Sequence, residues 1–173
     1  MFNGLKKLIL IPLSITLLAG CGGGNNNSQS SEQSATVQES IAPSITTSFG
    51  APLDLGNGIS VTLGEPSSFS PGKFASNWVK GLIANKFNVT IKNGGSSELD
   101  PSTVLITALA GNKNCVDVLD GDSNINGQPT EIIAAGSQVS FIYGVACDAK
   151  VGEPLNLSVA INDKVIAVNG KLK

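Results

Sequence analysis

The residues best suited to metal chemistry lie around the segment DSNINGQPTE, residues 122–131. Asp122, Asn124 and Asn126, followed by a glycine, match the opening of a calcium loop, in which oxygen ligands recur at every second residue around a hard cation. Asp120 lies two residues earlier and extends the same spacing. The pattern therefore predicts a candidate calcium site formed by Asp120, Asp122, Asn124 and Asn126.

The remainder of this segment departs from the calcium-loop pattern. Its twelfth position is Ile133, where a bidentate Glu is expected, and Glu131 falls two places early. Asp117 lies near enough in sequence to add an oxygen. The alternative interpretation, which we favour, is an exposed loop in which Asp, Asn and Gly serve turn geometry.

Catalytic chemistry is poorly represented in the sequence. Histidine is absent, so a Ser-His-Asp triad and any metal site built on imidazole are excluded. Ser70 and Lys73 have the spacing of a Ser-x-x-Lys nucleophile motif, but SFSPGKF is typical of a loop, and the partner motifs of such enzymes are missing. We therefore expect a protein that is not an enzyme and uses no cofactor.

The N-terminus has the layout of a secretory signal. A short positive stretch precedes an apolar run at residues 8–18, and small residues follow. The apolar run is shorter than the roughly 20 residues that a membrane-spanning helix needs. We predict a signal peptide over residues 1–20.

The segment Leu18-Ala19-Gly20-Cys21 resembles the lipobox of bacterial lipoproteins. The resemblance implies cleavage before Cys21 and a diacylglyceryl group on its sulfur, which would place the protein on the outer face of the bacterial cell membrane. Two or more acyl chains anchor a protein stably, at about 0.8 kcal/mol per buried CH₂. A plain signal peptide and an uncleaved anchor remain the alternatives.

Residues 21–46 are rich in Gly, Asn, Ser and Gln and have few large apolar side chains. Such a composition cannot bury enough surface to offset the entropy of ordering, so we expect a flexible linker before a folded domain at 47–173. After loss of residues 1–20, nine lysines face thirteen acids, a net charge of −4. This balance is a poor match for phosphate backbones, so nucleic-acid binding is not expected.

Once Cys21 is assigned to lipid, an even pair of cysteines remains. Cys115 and Cys147 would form a disulfide in an oxidising compartment. Two buried free thiols and a redox pair are the alternatives. Neither cysteine lies in a Cys-x-x-Cys motif, which disfavours redox chemistry.

The predicted folded region has the alternating pattern of β-strands throughout. The apolar faces fall in residues 59–63, 87–91, 139–147 and 155–161, with a more continuous apolar run at 103–110 and a last strand after a turn at 162–163. Asn-Gly pairs at 57–58, 93–94, 126–127 and 169–170, and Asp-Gly at 120–121, are typical of tight turns. Residues 76–85 favour a short helix and a strand equally, and Trp78 could be a core or rim residue or a ligand platform. We predict an all-β, Ig-like antiparallel β-sandwich of seven to nine strands.

The lipobox, the polar linker and the stretch ANKFNVTIKNGGSSELDPSTV together resemble the Ig-like domains of unknown function found in Gram-positive lipoproteins. The shared pattern is carried here by Phe87, Val89, Ile91, Asn93, Gly94 and Leu99. The secreted immunoprotective antigens of mycobacteria are similar in type. The resemblance implies the sandwich fold, and it implies no catalytic residues.

Two classes of function therefore remain open. The first, which we prefer, is an envelope lipoprotein that presents a binding surface to an envelope or extracellular protein, with the loops at 66–84 and 120–131 as candidate contacts. The second is a small-solute or calcium-binding lipoprotein. An accessory subunit of a membrane complex is a further possibility, and fold alone does not choose among them.

Overall fold

The computed structural model describes residues 45–173, which contain eleven β-strands and two short 3-10 turns. The strands are β1 (Ile45–Ser48), β2 (Pro52–Gly56), β3 (Ile59–Leu63), β4 (Ser67–Ser68), β5 (Ile83–Asn93), β6 (Leu105–Ala110), β7 (Lys113–Asn114), β8 (Val116–Val118), β9 (Gln138–Cys147), β10 (Pro154–Ile161) and β11 (Lys164–Lys171). The 3-10 turns are Pro101–Thr103 and Gly121–Ser123. The predicted signal peptide, Cys21 and residues 21–44 of the predicted linker lie outside the described residues. Within 45–173 no helix is long and apolar enough to cross a membrane.

The strands form two sheets that pack as a sandwich. Sheet A has the order β1-β11-β10-β6-β7, and sheet B has the order β2-β3-β5-β9-β8, with β4 paired to the start of β5. The predicted all-β sandwich is confirmed. One pairing departs from the antiparallel prediction, because β1 runs parallel to β11 at the edge of sheet A. Eight strands have four or more residues, and the three shorter ones are too short to show an alternating pattern.

The core lies between the two sheets and is built from the predicted alternating faces. Phe87, Val89 and Ile91 of β5 are buried, as are Leu155, Leu157, Val159 and Ile161 of β10. Three aromatic rings meet at its centre: Phe49 lies 6.0 Å from Phe87, and Phe87 lies 5.6 Å from Tyr143, between ring centroids. Phe87 and Tyr143 are neighbours across β5 and β9 of sheet B, and Phe49 lies on the connection from β1 to β2, so the edge-on and tilted contacts hold this connection against sheet B.

Part of sheet B is buried on its outer face as well. Ala84, Val118 and Ala146 point away from the main core and are covered by Phe69, Ala75, Trp78 and Leu82. We call residues 66–82 the cover segment. Its C-terminal part, residues 77–82, is neither helix nor strand, so both predictions are wrong for these residues. The strand prediction is confirmed at the end of the segment, where β5 begins at Ile83. Asn77 and Gly81 adopt positive φ angles of 62° and 110°, which interrupt any regular element.

The two ends of the sandwich are distinct. At the entry end, Ile45, the first described residue, pairs with Ile166 at the start of β11. At the far end, Lys173 follows β11, and its backbone exchanges hydrogen bonds of 2.9 and 3.3 Å with the Asn85 side chain. The cover segment returns to sheet B at this far end.

The dipeptides that predict turns behave in two ways. Asn57-Gly58 forms the two-residue turn between β2 and β3, with φ of 53° and 78°. Asn169-Gly170, in contrast, lies within β11 opposite Asn156 and Leu155, so the prediction of a turn there is wrong. Gly170 is needed for packing: a Cβ atom at this position would overlap the Phe49 ring. The glycine thus makes room for the aromatic cluster.

We predict that Gly170→Ala destabilises the fold by about 1–3 kcal/mol, because the added methyl group forces Phe49 out of its place against Phe87. Urea unfolding measures the change. Asn169→Ala, on the exposed side of the same strand, is the matched control and is expected to stay within about 0.5 kcal/mol. Adding Phe49→Leu to Gly170→Ala should recover part of the loss in a double-mutant cycle, and additivity of the two changes would contradict the steric explanation.

Candidate binding surface

The predicted disulfide is present in the structure. Cys115 and Cys147 are joined, with their Cα atoms 4.3 Å apart. Cys115 is the residue at which the chain passes from β7 of sheet A to β8 of sheet B, and its N–H donates to the Ala108 carbonyl at 2.9 Å. The bond therefore fastens this crossing to the last residue of β9. Cys147 is fully buried, which is consistent with a structural bond.

We predict that Cys115→Ala combined with Cys147→Ala lowers the free energy of unfolding by about 3–4 kcal/mol. The reason is that the unfolded chain then lacks a cross-link between residues 32 positions apart. Thermal unfolding with and without reductant measures the effect. Reductant should lower the unfolding temperature of the parent protein to that of the double variant, and it should leave the unfolding temperature of the variant unchanged. Equal stability of parent and variant under oxidising conditions would contradict the prediction.

The two loops that the sequence suggested as contacts lie side by side. The Gly72 N–H donates to the Asp120 carboxylate at 3.0 Å, and the Ser76 N–H donates to the Leu119 carbonyl at 2.9 Å. These bonds connect the cover segment to the loop that follows β8. Both loops are apparent in the sequence, but they are joined by contacts between residues 48 positions apart, such as Gly72 and Asp120, which no local pattern shows.

Asp120 is the centre of this connection. Its side chain is only 3% exposed and also accepts a hydrogen bond from the Ser123 hydroxyl at 2.8 Å. Its backbone exchanges two hydrogen bonds with Ile125, at 2.8 and 2.9 Å, which closes residues 121–124 into a tight loop. The hydrogen bonds from Gly72 and Ser123 hold the pKa of the Asp120 carboxyl below its usual range. Asp120 thus connects the cover segment to the loop that follows β8.

The four predicted calcium ligands have different surroundings. The Asp120 carboxylate accepts hydrogen bonds from Gly72 and Ser123. Asp122 is exposed, and its carboxylate faces Gly72. Asn124 adopts a left-handed φ of 56° at the end of the 3-10 turn, a role that Asn fills in many turns. Among residues 45–173, no three or more His, Cys, Asp or Glu side chains are grouped to hold a metal ion. Calcium binding by Asp120, Asp122, Asn124 and Asn126 stays a prediction, and the turn interpretation explains the placement of Asp120 and Asn124.

Asp117 lies outside this loop. It is on β8, beside Tyr143, and both its carboxylate and burial of the phenol raise the Tyr143 pKa, burial being the larger effect. The Tyr143 hydroxyl donates to the Ile106 carbonyl at 3.3 Å. Tyr143 is therefore neutral and joins the two sheets.

We predict that Asp120→Asn destabilises the protein at neutral pH and that its deficit relative to the parent shrinks in acid. A carboxyl with a lowered folded pKa stabilises the native state above its unfolded pKa, about 3.9, and this contribution is lost as pH falls through the folded pKa. Unfolding midpoints measured between pH 7 and pH 2 test this. Asp163→Asn, in the exposed β10–β11 turn, is the control, and a constant deficit across the range would contradict the assignment.

A groove lies at the far end of the sandwich, between the cover segment and β5. We call it the Trp78 groove; it has a volume of about 350 Å³. Its lining includes Phe69, Pro71, Trp78, Leu82, Val151 and Lys173. Trp78 both packs against the outer face of sheet B and forms a wall of this groove, so it is a rim residue that is also placed to contact a ligand. Its indole nitrogen is buried and has no hydrogen-bond partner among the described residues.

Several large apolar side chains are exposed along the cover segment and beside the groove. Phe74 is 85% exposed, Val79 63% and Val151 66%. Scattered single apolar residues are normal on a protein surface, but an exposed apolar residue in the wall of a groove, as Val151 is, is typical of a contact site. Ser70 also lines the groove, while the amine of Lys73 lies 5.5 Å from the Phe74 ring centroid. The segment containing Ser70 and Lys73 is irregular, as predicted, and not the start of a helix.

The comparisons with known proteins give fold likenesses only. No protein-family model matches the sequence, and no curated protein matches it. The ycdA protein of Bacillus subtilis, assigned as a lipoprotein, has a TM-score of 0.55 at 18% identity, over 68% of this chain and 38% of that one. The yjhA protein of the same organism gives 0.55 at 10% identity, over 70% and 99%.

A secreted protein of Mycobacterium tuberculosis, MPT63, gives a TM-score of 0.50 at 13% identity, over 76% of this chain and 99% of that one. The chain spans about two fifths of the length of the ycdA protein. These similarities confirm the predicted sandwich and agree, at the level of fold, with the resemblance to lipoprotein domains and mycobacterial secreted antigens.

Proposed function

We propose that this protein is a lipoprotein, anchored by lipid to the outer face of the bacterial cell membrane, that presents its β-sandwich as a non-enzymatic binding module to an envelope or extracellular protein. The observation that carries the proposal is the position of the Trp78 groove. Ile45, where the described chain begins, is at the entry end, and the groove is at the far end. A tether through Cys21 would therefore enter the domain at the end opposite the groove and leave the groove open to a partner.

The fold likenesses support an extracytoplasmic location. They include one protein assigned as a lipoprotein and one that is secreted. The Cys115–Cys147 disulfide is also typical of proteins outside the reducing cytoplasm. A linker of about 23 residues, from 22 to 44, would give a root-mean-square reach of roughly 24–29 Å if it is a flexible coil.

Solute binding is the second candidate. The groove volume of about 350 Å³ falls at the low end of the range for small-molecule pockets, roughly 300–1,000 Å³. Ligand pockets usually enclose most of their ligand, whereas the wall of this groove includes Val151, which is largely exposed to solvent. Such an open wall favours a macromolecular partner.

We predict that Cys21→Ala prevents lipid attachment and cleavage at this site, because the thiol that would carry the diacylglyceryl group is gone. Membrane fractionation and intact-protein mass spectrometry of the expressed protein measure both effects. Asn25→Ala, in the predicted linker, is a control that should leave processing unchanged. A lipid-sized mass on the Cys21→Ala protein would contradict the assignment.

Chemical cross-linking of the anchored protein in its own cells, followed by mass spectrometry, tests the binding function. The proposal predicts one reproducible protein partner that is lost when the exposed positions of residues 66–84 are scrambled. Scrambling the exposed positions of residues 111–114, at the edge of sheet A, is the control. Capture of abundant membrane neighbours alone would contradict the proposal and favour the solute-binding alternative.

A further inference from the structure

We propose that the Trp78 groove binds an extended acidic peptide segment of a partner protein, with an apolar side chain of that peptide seated against Trp78. This inference rests on the proposed function, because it names the chemistry of the partner at the same surface. Its evidence is the distribution of charge around the groove.

Charge is distributed unevenly along the described chain. Residues 66–97 contain four lysines and no Asp or Glu, although residues 45–173 as a whole hold nine lysines and eleven acids. This run contains the cover segment and β5, which form most of the groove. The groove is therefore built from the one long basic stretch of an acidic domain.

The lysines are placed beside the apolar surface. The Lys86 amine lies 5.7 Å from the ring centroid of Phe69, a groove residue, and Lys173 lines the groove itself. Neither Lys86 nor Lys173 forms an ion pair with a residue of the described domain, so their charges are available to a ligand with carboxylates. Lys150, which precedes the groove residue Val151, lines a neighbouring cavity together with Asp148 and Glu153.

Acidic groups border this surface on two sides. Asp148 and Glu153 lie beside Lys150 in a neighbouring cavity. The carboxylates of Asp120 and Asp122 both face Gly72, on the part of the cover segment nearest the loop after β8. Asp120 is committed to hydrogen bonds with Gly72 and Ser123. The basic surface therefore extends from Phe69 toward Lys173 and Val151, away from Asp120 and Asp122.

The apolar lining of the groove and the lysines beside it together indicate the chemistry of its ligand. An apolar groove beside exposed Val151 and Val79 favours a ligand with large apolar side chains, and the lysine rim favours carboxylates around them. An acidic peptide supplies both. An anionic membrane surface supplies negative charge, but the groove is at the far end from Ile45, where the predicted tether enters.

The sequence contains a single tryptophan, Trp78, so its fluorescence reports directly on this groove. The full chain in detergent micelles is titrated with a pool of short synthetic peptides that lack Trp and carry Asp and Glu around a central Leu, Ile or Phe. We expect a saturable change in Trp78 fluorescence. A pool with Lys and Arg in place of the acids, and an acidic pool with Ser in place of the central residue, should each bind at least about tenfold more weakly.

Variants at exposed positions locate the binding. Val151→Ser and the pair Lys86→Gln and Lys173→Gln should each weaken binding of the acidic pool by about three- to tenfold. Leu105→Ser and Lys164→Gln, at the entry end, are the matched controls and should leave binding unchanged. Circular dichroism verifies that each variant is folded.

Three results would overturn the inference: no change in fluorescence, equal binding of acidic and basic pools, or a response to phosphatidylglycerol vesicles but not to the acidic pool. A partner captured by cross-linking in cells, combined with any of these results, would leave the proposed binding function standing and remove only the acidic peptide. Saturable binding of the acidic pool without a captured partner in cells would support the preference of the groove for acidic peptides and contradict the proposed binding function.

Discussion

The arrangement of this domain depends on the burial of sheet B on both faces at one end. The inner face of β5 and β9 packs against sheet A, as in any sandwich, but Ala84 and Ala146 are also apolar and point outward. Exposed to water, that small apolar surface would favour contact with any hydrophobic neighbour. The cover segment removes it from water with Trp78 and Leu82, and a groove forms where the segment meets the sheet.

The cover segment has little regular structure of its own, so its position relies on a few polar contacts. On one side, the Gly72 N–H donates to the Asp120 carboxylate and the Ser76 N–H donates to the Leu119 carbonyl; on the other, β4 pairs with Asn85 and Lys86. A segment held at its ends and packed through side chains can present a defined surface without being a helix or strand. This is a common way for a rigid sandwich to carry function on its connections.

Much of the sandwich was predictable because its physical signal is local. The alternating residues of β5, β9 and β10 show which face is buried, and they follow from the two-residue period of a strand. The disulfide was predictable from cysteine count and compartment. The parallel pairing of β1 with β11 was not, because the strand has four residues and its partner is more than a hundred residues away.

Contacts between residues far apart in the sequence also explain why one turn prediction is wrong and why the binding surface could not be predicted. Asn169-Gly170 looked like a turn because its role, clearance for Phe49, is a contact over a long sequence distance. The association of Gly72 with Asp120 is of the same kind, and the spacing of Asp and Asn residues that suggested calcium is explained in part by it. The lack of acids between residues 66 and 97 was visible in the sequence, but it acquires meaning only when those residues are seen around one groove.

The most direct test of the account is photo-cross-linking from single sites in living cells. A photoreactive amino acid is placed at Val79, which is exposed on the cover segment next to Trp78 in sequence, or at Leu105, which is similarly exposed at the entry end. We expect the Val79 position to capture one reproducible protein and the Leu105 position to capture none. Capture of the same protein from Leu105 alone, or equally from both positions, would contradict the claim that the cover segment is the contact surface.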